Sequence, residues 1–120
     1  MATLRQRHGS AAEDHAASWL AAHGWQIMGR NVKVGRDEID IVALDPGPPP
    51  TLVCVEVRSA TSAAFGSPEE RVGRAKVGHL YRAMRGLTGV AHLPRRVDLV
   101  LVDGRTGLPV LRHLRSIEPP

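Results

Sequence analysis

Asp37-Glu38-Ile39-Asp40-Ile41-Val42-Ala43-Leu44, followed after a proline-rich break by Leu52-Val53-Cys54-Val55-Glu56-Val57-Arg58, decides the fold. Both stretches are rich in β-branched residues and read as strands, about Glu38–Leu44 and Leu52–Arg58. The break, Asp45-Pro46-Gly47-Pro48-Pro49-Pro50, lacks the N–H donors that regular structure needs, so it is a loop. It is short enough for the two strands to form a hairpin. Alternation along the second of them puts Glu56 and Arg58 on the same sheet face as Cys54. A hairpin centred on Pro48 sets Asp40 opposite Glu56. Two carboxylates facing each other inside apolar strands repel, and at least one is pushed to a higher pKa. A divalent cation removes that cost, and a hard ion such as Mg²⁺ takes carboxylate oxygens and waters. The competing reading is an edge-exposed or salt-bridged pair.

Upstream, Ser10 and Glu13 have the spacing of a capping box. The helix that follows places Ala12, Ala16, Trp19, Leu20 and His23 on one face and stops at Gly24. Glu13 lies at the edge of that face, so it is either part of the cap or a third inward carboxylate beside Asp40 and Glu56. A first strand runs about Trp25–Val32. Downstream, Ser59–Ser67 is a small-residue loop, and a second helix starts near Pro68 and ends near Leu87, with Glu69 and Glu70 in its first turn. Strands at about Val97–Asp103 and Pro109–Leu114, joined by Gly104-Arg105-Thr106-Gly107, complete the order helix, three strands, helix, two strands.

On the second helix Arg71, Arg74, Arg82 and Arg85 fall within an arc of ~80°. Val72, Ala75, His79, Leu80, Ala83 and Leu87 take the opposite side. The arginine stripe is either a solvated face or a phosphate track. Lys76 lies inside the apolar arc, where an ammonium needs a partner. The acidic pair is the obvious one, and snorkelling past the helix start is the alternative.

The 120 residues, 42% of them apolar and 23% charged, fit one globular domain with its own core. Aromatics at 3% leave that core to Val, Leu, Ile and Ala, and argue against base-stacking RNA modules. The single Cys54 excludes an intrachain disulfide and any multi-cysteine metal site, and reads as a core residue. The six histidines have no metal-ligand spacing, and the glycines form no phosphate loop. No apolar run is long enough for a membrane helix and no stretch reads as a signal peptide, so a cytoplasmic protein is expected. Net charge is +4, unevenly spread: residues 13–56 hold seven acids against three bases, residues 58–96 eight bases against two acids. An acidic cluster beside a cationic surface is the reading that distribution suggests.

Gly9 and Glu13 on the first helix, Gly24-Trp25, Asn31, Asp37 to Ala43, Val55-Glu56-Val57-Arg58, Phe65-Gly66, Lys76 and Arg96 to Val100 together resemble the YraN-like family of bacterial proteins. That family is regarded as a small PD-(D/E)XK nuclease-like fold, similar to archaeal Holliday-junction resolvases. The resemblance spans nearly the whole chain. It implies an α/β, restriction-endonuclease-like core with a mixed five-stranded sheet flanked by helices. Asp40 would be the motif aspartate, Glu56 the second acid, Glu13 the helix-one acid, and Arg58 would hold the place usually taken by lysine. Two positions depart from the pattern. Asp37-Glu38 stands where Gly-Glu is typical, and Arg58, a guanidinium that stays protonated, cannot be a general base.

The function these features point to is a metal-dependent DNA endonuclease. Glu13, Asp40 and Glu56 would hold Mg²⁺ or Mn²⁺, and Arg58 and Lys76 would stabilise the transition state. Arg5, Arg7, Arg71, Arg74, Arg82 and Arg85 would track the DNA backbone. Similarity to resolvases adds a branched substrate and a homodimer. The rivals are a catalytically inactive nucleic-acid-binding protein on the same fold, and an assembly protein whose basic face meets an acidic partner.

Overall fold

The computed structural model describes residues 4–59, 72–90, 92–103 and 108–120, with side chains from residue 11 onward. Helix α1 (Leu4–Ala22) leads into β1 (Gln26–Val34), β2 (Asp37–Asp45) and β3 (Thr51–Ser59). Helix α2 (Arg74–Gly86), β4 (Arg95–Asp103) and β5 (Val110–Leu114) follow. The strands form one sheet in the order β1-β2-β3-β4-β5. All neighbours are antiparallel except β3 and β4, which are parallel. The mixed five-stranded sheet and the order α-β-β-β-α-β-β are those expected from the sequence.

Each helix covers one face. Ala12, Ala16 and Leu20 of α1 pack on Trp25, Ile41, Ala43, Val53, Val55, Val100 and Val102. Val77, Leu80 and Ala83 of α2 pack on the other face, against Ile39, Val42, Leu52, Cys54, Val97, Leu99 and Leu101. Leu20 is fully buried and Leu80 nearly so; each contributes about 1.5–3 kcal/mol. The Cys54 thiol is buried in this core, which pushes its pKa up to about 12.

Helix α1 starts at Leu4, not at Ser10. Leu4, Arg5, Gln6 and Arg7 are good helix formers and extend the first turn toward the N-terminus. Ser10 and Glu13 therefore sit inside the helix, and their capping-box spacing does not mark its start. The other end does behave as read. Gly24 has φ +87°, its N–H reaches the Ala21 carbonyl at 3.0 Å, and the Trp25 N–H reaches that of Leu20 at 3.1 Å. That is a Schellman stop, whose left-handed residue favours glycine. His23, placed on the apolar face by the helical wheel, is exposed. Its Nδ1 lies 2.7 Å from the Trp19 carbonyl.

The second helix shows a change of phase. Its buried stripe is Val77, Leu80 and Ala83, whereas Ala75 and His79 are exposed. Gly73, at φ +89°, precedes Arg74, so Val72 is not in phase with the residues after the break. The loop at 60–67, the start expected near Pro68, Arg71 and the turn at 104–107 lie outside the described residues.

Pairs in the β2–β3 hairpin run from Asp45–Thr51 to Ile41–Val55, the register expected from a loop centred on Pro48. It places Asp40 and Glu56 one step beyond the last pair, where the two strands part.

Candidate active site

Asp40 and Glu56 meet where the hairpin opens, and Glu13 of α1 approaches Asp40 from the other side of the sheet. On β3, Leu52 and Cys54 face α2 while Val53 and Val55 face α1, so Glu56 points to the α2 side. Glu13, from α1, belongs to the other side. Asp40 is at the seam. Ile39 packs on the α2 face and Ile41 on the α1 face, so the alternation of β2 slips by one residue at Asp40. The register puts Asn31 of β1 opposite, between the pairs Arg30–Ile41 and Val32–Ile39. Asn31 has φ +50°, a left-handed conformation that asparagine tolerates better than other side chains. The N–H of Val57, past the last β2–β3 pair, donates to Asp40 Oδ2 at 2.9 Å.

Glu56 is 4% exposed, and its Oε2 has no hydrogen-bond partner among the described residues. Its nearest cations are distant for a buried carboxylate: Lys76 Nζ is 3.6 Å from Oε2 and Arg58 Nε is 3.9 Å from Oε1. Burial, then hydrogen bonding with Asp40 and repulsion by it, push the Glu56 pKa up to about 8, against the pull of Lys76 and Arg58. Glu13 is also raised, by burial and by the charges of Asp40 and Glu38, although its bond to Arg30 opposes this. Asp40 thus acts on both glutamates and is the middle of the row.

Arg30 was not legible in the sequence as a site residue. It projects from β1, its Nε donating to Glu13 Oε1 at 3.1 Å and its Nη2 lying 2.6 Å from Asp14 Oδ1. Its only sequence signal is its place beside Asn31 on the strand that pairs with β2. No group of three or more His, Cys, Asp and Glu side chains among the described residues is disposed to hold a metal ion.

The basic residues divide. Arg58 is 43% exposed and Lys76 33%, both beside Glu56. Arg74 and Arg85 are exposed on α2. Arg82 is engaged differently: its Nε and Nη2 donate to the two carboxylate oxygens of Asp37 at 2.8 Å. That fork holds the Asp37 carboxyl below its usual range and explains an acid at position 37, which ties the start of β2 to α2. Arg71 and the side chains of Arg5 and Arg7 lie outside the described residues.

A second polar cluster lies under α1. Asp98, fully buried, accepts from Arg96 Nε at 2.8 Å, Arg96 Nη2 at 3.0 Å and the Ser116 N–H at 3.0 Å. His113 Nε2 is 2.7 Å away. These donors outweigh burial and keep the Asp98 carboxyl ionised below its usual pKa. Arg96 also reaches Asp45 at 3.0 Å and lies over the Trp25 ring. Every carboxylate oxygen of Asp98 has a partner, which marks this as a structural network joining β4, β5 and the C-terminal segment.

The family described as "Uncharacterised protein family UPF0102" matches residues 12–102, which include Glu13, Asp40, Glu56, Arg58 and Lys76. Similar proteins include a UPF0102 protein of Arthrobacter sp. (strain FB24), 40% identical over 91% of this chain and 93% of its own. Another, from Bifidobacterium longum subsp. infantis, is 34% identical over 92% of both chains. A third, from Bacteroides thetaiotaomicron, is 33% identical over 93% of both. No described helix is long and apolar enough to cross a membrane. On the family match and these relatives, the chain belongs to the UPF0102, or YraN-like, family.

Proposed function

We propose that the notch between β2 and β3 is the divalent-metal centre of a DNA endonuclease, with Asp40 and Glu56 as its core ligands. The observation that carries this reading is Glu56: a buried carboxylate set against a second carboxylate, with an oxygen that has no hydrogen-bond partner and cations no nearer than 3.6 Å among the described residues. Such a pair is costly unless a cation joins it. Two carboxylates suit a hard ion, Mg²⁺ or Mn²⁺, and Glu13 is the third candidate once it is released from Arg30. When bound, such an ion polarises the scissile phosphate and eases deprotonation of the attacking water.

The chain's own residues supply the rest. Asp40 is aimed by the Val57 N–H. Arg58, permanently charged, offers its guanidinium to the negative charge growing on the phosphate. Lys76 partly offsets Glu56 and can turn outward to the same phosphate. Arg74 and Arg85, exposed on α2, contact the DNA backbone without reading sequence. A homodimer would bring two notches to the two cleavage points of a branched substrate.

A second reading, nucleic-acid binding without cleavage, is favoured by the Glu13–Arg30 contact and by arginine at position 58. Cleavage of linear, flapped and four-way DNA with Mg²⁺ and Mn²⁺ separates the two. The nuclease reading expects metal-dependent cutting that Asp40→Ala abolishes. Binding to DNA with no cutting of any substrate selects the second reading.

A further inference from the structure

A β-strand keeps residues i and i+2 on one face, and the β1–β2 ribbon breaks that rule at one place. On β2, Ile41 and Ala43 face α1 but Ile39 faces α2. On β1, Arg30 reaches Glu13 of α1, whereas Val32 packs on the α2 side. Both strands therefore change face at Asn31 and Asp40, which stand opposite each other. The pairs on either side, from Gly29–Val42 to Val34–Asp37, keep one register. No residue is inserted, so the ribbon turns over without a slip in pairing. Asn31 has the left-handed backbone there, at φ +50°. Gly29 records the same turn independently: a Cβ on it would stand 2.9 Å from Val32 Cγ2. Residues three apart in an extended strand are separated by about 10 Å, so the chain is coiled up between these two. Alternation alone would put Asp40 on the α2 face with Val42. The turn-over leaves it in the plane of the sheet instead, where its Oδ2 accepts the Val57 N–H at 2.9 Å. That donor lies past the last β2–β3 pair, Ile41–Val55.

We propose that Asn31 is a positioning residue of the notch: its left-handed backbone, rather than its amide group, turns the ribbon over and sets Asp40 in the sheet plane against Val57 and Glu56. The placement of Asp40 stands on this geometry, and its consequence for cleavage rests on the endonuclease reading. The Asn31 side chain is exposed. It acts through Asp40 and needs no contact with substrate. Asparagine suits the position because it enters the left-handed region at less cost than other side chains bar glycine, whereas a β-branched residue is strained there. Strain of this kind persists where the surrounding structure holds it in place. Here the packing of Val32 and Ile39 on the α2 side does so.

Amide hydrogen exchange of the full chain, read by NMR, tests this with four proteins: wild type, Asn31→Val, Asn31→Gly and Asp40→Ala. Val57 is the reporter, and Val55, inside the β2–β3 pairing, is the control for folding. Asp40→Ala should speed exchange at Val57 by about tenfold, the loss of one charge-assisted hydrogen bond. Asn31→Val should match it, with Val55 still protected. Asn31→Gly keeps the left-handed backbone without the amide group and should exchange like wild type. If Asn31→Val does not fold, Asn31→Ala takes its place, with the same direction expected. A protected Val57 in Asn31→Val overturns the proposal. Fast exchange in Asn31→Gly overturns it too, since the role would then belong to the amide group. In the cleavage assay Asn31→Val should lower kcat with the KM for DNA unchanged, and Asn31→Gly should restore it; an undiminished kcat in Asn31→Val counts against the proposal. Val57 exposed in Asn31→Val alone of the two Asn31 variants, with no cleavage of any substrate by wild type, upholds the positioning of Asp40 and overturns only the endonuclease reading.

Discussion

Glu56→Gln should stabilise the metal-free protein at pH 8, although it removes a charge from a cluster that contains two ion pairs. In the folded chain burial and Asp40 raise the Glu56 pKa from 4.5 to about 8. A carboxyl raised on folding is fully accommodated when protonated, below its unfolded pKa, and loses that advantage as pH climbs through the folded value. Glu56 therefore costs stability between about pH 4.5 and 8, with an upper bound of ~5 kcal/mol if the whole difference is expressed. Loosening of the notch would reduce this, so a few kcal/mol is the working figure. Urea unfolding followed by circular dichroism at pH 5, 6, 7 and 8, with chelator present, measures it. Wild type should lose stability across that window relative to Glu56→Gln, and the difference between the two cancels the histidine contributions they share. Saturating Mn²⁺ should reverse the order at pH 8. Parallel curves for the two proteins from pH 5 to 8 would refute the claim that Glu56 is a buried, under-compensated acid.

Asp98→Asn should cost about 3 kcal/mol in the same unfolding assay at neutral pH, because it breaks the buried two-oxygen pair with Arg96 and leaves that guanidinium only Asp45; the wild-type advantage should fade as pH drops below 3.8, since the folded Asp98 pKa is lowered. Arg74→Ala with Arg85→Ala should flatten the slope of log K against log salt for DNA binding by ~1.8 in fluorescence anisotropy. Arg82→Ala should leave that slope unchanged and lower stability instead, because its guanidinium is committed to Asp37. Arg58→Ala should depress cleavage by ~10²-fold with Mn²⁺ affinity nearly intact, while Arg58→Lys keeps or raises the rate in the same assay.

The strands were the most legible part of the chain. The break from Asp45 to Pro50 admits one short hairpin, and the β-branched runs beside it fix its register, so the adjacency of Asp40 and Glu56 follows from counting. Helix limits were less legible. The Ser10–Glu13 spacing mimics a cap inside α1 because the helix begins among the good helix formers Leu4 to Arg7 and runs on through Gly9. On α2 the buried stripe is Val77, Leu80 and Ala83, so Ala75 and His79 turn outward, while Val72, before the break at Gly73, stays buried. The site was legible for the groups that apolar strands or an apolar helical arc surround, namely Asp40, Glu56 and Lys76. Arg30 escaped because an arginine on a half-exposed strand reads as solvated, and its contact with Glu13 depends on α1 crossing β1. Arg82 was misleading for the opposite reason. It shares an arc with Arg74 and Arg85, and only the packing of α2 against the start of β2 shows that Asp37 already holds it.

Calorimetric titration of metal-free protein with Mn²⁺ tests most directly whether Asp40 and Glu56 share a divalent cation. Asp40→Asn and Glu56→Gln are the informative variants, since Asn retains an oxygen for the Val57 N–H and Gln removes the charge from a site that resists it. The expected result is binding by wild type that each substitution weakens by about tenfold, on the order of 1.4 kcal/mol. Equal affinity in all three proteins, or no binding by wild type, would contradict it.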